Sequence, residues 1–177
     1  QEKIPFDENI KIGAMIETPA AVICIDHILE EVDFISIGTN DLIQYVLAID
    51  RINENIAHLY QPFHPSVLRS LKKILEAASK ANKKVSICGE LGGDPMATML
   101  LLGLGDLADL SMEPHSIPKV KKIIRLIRIE EARQMANHVL NLSSVEEISR
   151  FITNEMRTRF PEDFNRDPSF QENLKPA

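Results

Sequence analysis

The sequence predicts an α/β protein built on a parallel sheet and finished by a purely helical C-terminal end. Three observations lead there. Short apolar runs of strand length alternate three or four times with longer runs of helical period before residue 127, the pattern of parallel strands joined by crossover helices. Three of these strands end in residues of chemical use: Glu17, then Asn40-Asp41, then Cys88-Gly89-Glu90. In parallel α/β architectures the working face lies where strand C-terminal ends meet. From Ile129 onwards only helical patterning remains.

Residues 10–17 (IKIGAMIE) read as a strand that is apolar at most positions, as expected of a sheet covered on both faces. Thr18-Pro19 marks a helix start running to about Glu31, with Thr as N-cap and Pro in the first turn. Asp33 to Gly38 is a second strand, Thr39-Asn40-Asp41 a polar turn, and Leu42 to Ile49 a helix. Residues 50–64 form an irregular loop. Pro65 opens a helix with Val67, Leu68, Leu71, Ile74, Leu75 and Ala78 on one face. Lys84 to Cys88 is a third strand that enters the glycine-rich turn 89–94. Pro95 begins a helix that ends near Gly103 and Gly105, Asp109 to Met112 is a fourth strand, and Ser116 caps a helix with Pro118 near its start. Ser144 and Glu147 stand at capping-box spacing. The expected divisions are 1–127 as the α/β part, 128–159 as terminal helices packed on it, and 160–177 as a loosely held tail with three prolines.

Composition narrows the function. The chain has 177 residues, is 44% hydrophobic and carries a net charge of −6. An acidic balance disfavours non-specific nucleic-acid or anionic-membrane binding. Aromatics are 5% and Trp is absent, so no stacking platform for single strands is expected. Cys24 and Cys88 are too far apart for a zinc or dithiol motif. With no apolar run of membrane length and no signal peptide, the expected compartment is the cytoplasm. Gln1 stands where Met would open a chain and reads as a fragment boundary.

Glu17 and Asp41, at neighbouring strand ends, suit a hard divalent cation, because Mg2+ takes one or two carboxylates plus substrate oxygens and waters. Helix capping is the competing role for both. Arg51, in a loop near Asn40 and Asp41, suits phosphate or carboxylate through its planar fork, or else pairs with Asp50. Cys88 before a glycine-rich turn can present a thiol to a pocket, although free cysteines are more often buried and inert. Cys24, inside the run Ala20 to Ile25, is expected to be of that buried kind. Gly92-Gly93 leads to a helix N-terminus, a feature that can bind phosphate, but neither nucleotide fingerprint is present. His58, His64 and His115 lie in loops and are either phosphoryl carriers or surface residues without a role.

These clusters fall into one pattern. GAMIETPAA at residues 13–21 resembles the metal-binding segment of the PEP-utilising enzymes. DFISIGTNDL at 33–42, with Gln44-Tyr45 and Asp50-Arg51, is similar to their signature for phosphoenolpyruvate (PEP) and metal. CGELGGDP at 88–95 looks like the segment with their catalytic cysteine. The resemblance covers about residues 10–127. Within that superfamily, HLYQPFHPSVL at 58–68 and Leu110-Ser111-Met112 resemble the Enzyme I type of PEP–protein phosphotransferase, or its nitrogen-related paralogue. Glu113 departs from the small polar residue usual there.

The resemblance implies the C-terminal portion of a (β/α)8 TIM barrel, shorter than the roughly 250 residues a whole barrel takes. It also implies that Glu17 and Asp41 coordinate Mg2+, that Asn40, Asp41 and Arg51 bind substrate, and that Cys88 is catalytic, protonating the enolate to give pyruvate. The phosphoryl group would pass to a histidine on a separate domain and on to a phosphocarrier protein of HPr type. A homodimer is expected, as is inactivity of this portion by itself. Competing readings are a pyruvate phosphate dikinase or PEP synthase, and a non-catalytic dimerisation or regulatory module that keeps the motifs as relics.

Overall fold

β-branched residues alternate in the strand segments, and their alternation decides how the sheet is covered. In a computed structural model, which describes residues 4–164, four parallel strands pair in chain order: β1 (Gly13–Ile16), β2 (Phe34–Gly38), β3 (Lys84–Cys88) and β4 (Asp109–Leu110). The sheet is open. Ile16, Ile35, Ile37, Val85 and Ile87 are buried under the helices. The alternate positions point to the other face. There Met15, Ser36, Ser86 and Asp109 stand in one row across the four strands. Met15 is 50% exposed and Phe34 39%, so this face carries no cover among the described residues. This corrects the expectation, drawn from the apolar first strand, of a sheet covered on both faces. β1 is also shorter than expected, because Ile10 and Ile12 are exposed and precede it.

The helix expected over 18–31 is two helices, α1 (Pro19–Ile23) and α2 (Ile25–Glu31), broken at Cys24. Lys73 donates to the Ile23 carbonyl at 3.2 Å, which satisfies one acceptor at the break. Cys24 is exposed there, not buried as expected. α3 (Thr39–Leu47) starts three residues earlier than the sequence indicated, so Thr39, Asn40 and Asp41 form its first turn. After a single 3-10 turn at Ala57–Leu59, α4 (Pro65–Lys80) buries the six apolar residues expected of it, with His64 as N-cap. α5 (Glu90–Gly93) occupies the glycine-rich segment, and α6 (Pro95–Leu104) follows, capped by Asp94. α7 (Ile117–Leu126) begins after Ser116, whose side chain makes no cap bond, contrary to expectation.

α8 (Ile129–Leu140) and α9 (Val145–Arg159) pack on α6, and Arg159 of α9 pairs with Glu131 of α8. Ser144 caps α9 by accepting from the Glu147 N–H at 3.2 Å. Of the segment expected as a loose tail, residues 160–164 instead pack down. α10 (Pro161–Phe164) buries Phe164, and Phe160 is buried before it. Two aromatic rings meeting the core outweigh the polar composition around them. Residues 165–177 of that expected tail lie outside the described residues. Among the described residues no helix is long and apolar enough to cross a membrane.

Candidate active site at the strand ends

Register sets the site. Ile16 pairs with Ile37, and Gly38 with Cys88, so Glu17, one residue past Ile16, reaches the level of Gly38 and Cys88. A side chain on Gly38 would begin 2.7 Å from the Glu17 Oε2 and 3.3 Å from the Met15 Sδ. The bare backbone at Gly38 therefore lets the Glu17 carboxylate lie over the start of α3. Glu17 and Asp41 are both half-buried, and neither makes a hydrogen bond or ion pair to a described residue. Two hard oxygen donors without protein partners fit a divalent cation that also takes substrate oxygens and water. Among the described residues no group of three or more His, Cys, Asp or Glu is placed to hold a metal.

A second set of bonds ties β2 to β3. The Thr39 hydroxyl donates to the Cys88 carbonyl at 2.9 Å. The Asn40 Oδ1 accepts from the Glu90 N–H at 3.0 Å, and its Nδ2 faces the Glu90 carboxylate at 3.4 Å. Arg51 stands 3.6 Å from the same carboxylate. It does not pair with Asp50, whose side chain accepts from the Ile52 N–H at 3.0 Å. The Tyr60 hydroxyl donates to the Asn40 carbonyl at 3.3 Å. Burial holds the Tyr60 hydroxyl above its ordinary range, with Glu90 and Asp41 adding to the effect and Arg51 opposing it. Gly89, at φ +101, makes the turn between Cys88 and Glu90. A Cβ there would sit 2.5 Å from the Thr39 Oγ1, so Gly alone fits both the torsion and the space. A cleft of about 480 Å³ is lined by Asn40, Arg51, Tyr60 and Glu90. Another of about 490 Å³ is lined by Asn40, Glu90, Asp94, Ser111, Glu113 and His115.

Cys88 is half-buried, with its Sγ 3.5 Å from the Ser36 hydroxyl, 3.4 Å from the Ile37 carbonyl and 3.6 Å from the Met15 Sδ. The sequence-predicted residues Asn40, Arg51 and Cys88 are thus joined through Thr39 and Glu90. Asp41 sits one residue beyond Asn40 in the same helical turn. The three loop histidines are not brought together. His64 is spent on capping α4, accepting from the Ser66 N–H at 3.2 Å, and His115 pairs with Glu113 at 3.2 Å. Sequence reasoning gave no role to Ser36 or Tyr60, and singled out Glu90 only as a strand-end residue. Period 2 puts Ser36 on the same face of β2 as Gly38, but its place beside Cys88 comes from the strand register.

The α6 N-terminus is not an open anion site, because the Asp94 Oδ1 already accepts from the Met96 N–H at 2.8 Å. Burial raises the Asp94 carboxyl above its ordinary 3.8, against the pull of the Met96 and Ala97 N–H groups and Lys119. The folded state then binds the proton more tightly than the unfolded one. Stability from this group is present at low pH and falls as pH rises from about 3.8 through the raised value. Asp94→Asn keeps the cap acceptor and removes the buried charge. It is expected to match or exceed the parent in urea midpoint at pH 7 and to flatten the decline above pH 4. An unfolding free energy lower by about 1 kcal/mol or more at pH 7 would show instead that the carboxylate cap dominates.

Residues 1–129 match the model of the PEP-utilising enzyme, PEP-binding domain, and the chain belongs to that family. Its relatives point to one member of the class. The chain is 50% identical over 148 residues to the phosphoenolpyruvate-protein phosphotransferase of Buchnera aphidicola subsp. Schizaphis graminum, covering 84% of this chain and 26% of that protein. It is 48% identical over 147 residues to the protein of that name from Haemophilus influenzae, covering 83% and 25%. To that of Priestia megaterium it is 43% identical over 152 residues, covering 86% and 26%. The chain therefore spans about a quarter of the length of these curated relatives.

Proposed function

We propose that the chain is the PEP- and Mg2+-binding portion of a cytoplasmic phosphoenolpyruvate-protein phosphotransferase, which moves a phosphoryl group from PEP to a protein histidine and releases pyruvate. The observation that carries this is the convergence of three strand ends: Glu17 over Gly38, Asn40 and Arg51 joined at Glu90, and Cys88 in the same row. Arg51 would bind the phosphate by its guanidinium fork, and the Asn40 amide would fix the phosphate's orientation. Glu17 and Asp41 would hold Mg2+, which when bound offsets charge on the phosphoryl oxygens. Cys88 would donate its proton to the methylene carbon of the enolate left after transfer.

The phosphorylated histidine, the HPr-type carrier that receives from it and any dimer contact belong to the whole protein. The uncovered face of the four-stranded sheet and its sequential parallel order support reading residues 1–127 as half of a (β/α)8 barrel, with residues 128–159 as helices packed on it. Names shared among the relatives favour this transferase over a dikinase.

Isothermal titration tests the reading. PEP is expected to bind this chain in the presence of Mg2+, with affinity at least about tenfold weaker, or ~1.4 kcal/mol, in EDTA and in Asp41→Ala. Binding that ignores both EDTA and Asp41→Ala would remove the metal assignment. No heat with Mg2+ would place essential substrate contacts outside these residues.

A further inference from the structure

Cys88 of β3 is met by groups from the adjoining β2 and from β1 beyond it, and these groups are not equivalent. A thiol has one proton to give, and the Ile37 carbonyl at 3.4 Å is the strongest acceptor in its reach. The Ser36 hydroxyl at 3.5 Å therefore donates to sulfur, and it makes no other hydrogen bond to a described residue. The Met15 thioether at 3.6 Å offers only lone pairs. Ser36 lies on the open face of the sheet, between its register partners Met15 and Ser86, so its side chain fills no part of the apolar core.

We infer that Ser36 is a positioning residue for Cys88. Its hydroxyl fixes the direction of the thiol and stabilises the sulfur anion formed when the proton leaves. This rests on the reading of Cys88 as proton donor. In that step the S–H bond breaks and its electron pair stays on sulfur. The enolate's C=C pair forms the new C–H bond at the methylene carbon, and the enolate oxygen becomes the ketone oxygen of pyruvate. Negative charge passes from oxygen to sulfur, and the sulfur afterwards takes a proton from water, which leaves as hydroxide. As sulfur becomes anionic, the bond from Ser36 becomes charge-assisted and strengthens. The Ile37 carbonyl, by contrast, turns from acceptor into an opposing dipole. Of the three neighbours, only Ser36 favours the product of the step.

The test uses the chain with Cys24→Ala, which leaves Cys88 as its sole thiol, and follows its alkylation by iodoacetamide at pH 7. The sulfur anion is the reactive form. Ser36→Ala is expected to slow alkylation about three- to fivefold, after allowing for the greater nucleophilicity of a less stabilised anion. The smaller side chain would, on steric grounds, speed it. Ser36→Thr keeps the hydroxyl and Ser36→Val keeps that shape without it. Thr is expected to react faster than Val by the same factor, and this pair decides the matter if circular dichroism shows Ser36→Ala unfolded. Equal rates in parent and Ser36→Ala, or in Thr and Val, would overturn the assignment. Alkylation is read without PEP. Slow alkylation with no PEP binding would keep Ser36 and place essential substrate contacts outside these residues, and PEP binding with unchanged alkylation would keep the substrate reading and remove Ser36.

Discussion

Cys88→Ala, introduced into a full-length protein carrying this domain, is expected to slow pyruvate release by about 10²–10⁴-fold, the range for loss of a positioned general acid. PEP affinity should stay nearly unchanged. The prediction separates two jobs that the site keeps apart in space. Phosphate binding falls to Arg51 and Asn40, which meet at Glu90, whereas the Cys88 sulfur faces Ser36, Ile37 and Met15. Removing the sulfur leaves the first set intact. Pyruvate is measured by coupled oxidation of NADH, and phosphoryl transfer by labelling of the acceptor histidine. An unchanged rate of pyruvate formation would take proton donation away from Cys88. A collapse of PEP affinity would make Cys88 a binding residue instead.

Gly103→Ala should be the most damaging single-methyl change in the helical layer. A Cβ at Gly103 would lie 2.0 Å from the Ala132 carbonyl oxygen and 2.4 Å from its carbon, with the Ala136 Cβ 3.0 Å away. The obstacle is backbone of α8 and cannot swing aside as a side-chain tip would. Helix propensity favours Ala over Gly by up to about 1 kcal/mol, whereas overpacking of this kind costs about 1–3 kcal/mol or more because α6 and α8 must separate. The overlap wins, with a net loss of about 2 kcal/mol or more, or a thermal midpoint lower by about 4–8 °C in a chain of this size. A midpoint equal to or above the parent's would show that α6 and α8 have slack to part without cost.

The strands and helices legible in the sequence were those whose burial has a clean period. The start and buried face of α4 were readable, because Pro65 marks the start and Val67, Leu68, Leu71, Ile74, Leu75 and Ala78 mark one face. β3 was equally plain. The break at Cys24 was not, because Ala20 to Ile25 is apolar at every position and gives no phase to show where a helix axis turns. The early start of α3 was hidden by Thr39-Asn40-Asp41, residues that favour turns in isolation but here have their side chains engaged or facing the site. Phe160 and Phe164 were masked by the charged residues around them. Of the candidate site, Glu17, Asn40, Asp41 and Cys88 could be singled out from sequence because they sit at or just beyond strand ends. Their connections could not. That Glu90 joins Asn40 to Arg51, and that Ser36 faces Cys88, depends on strand register, which no single segment encodes.

Strand order here equals chain order, and this has a bearing on how the molecule comes into being. Each new strand docks on the edge left by the one synthesised just before it, so loop closures stay short and no strand must be threaded between two that are already paired. β1 and β2 can pair on the ribosome before α4 has emerged, and β3 can join before α8 exists. Among the described elements α9 and α10 seat last, and together with Phe160 between them they bring Ile148, Ile152, Met156 and Phe164 into the core. A chain halted midway through synthesis would therefore carry a shorter sheet with a bare edge, and never one with a gap in its middle.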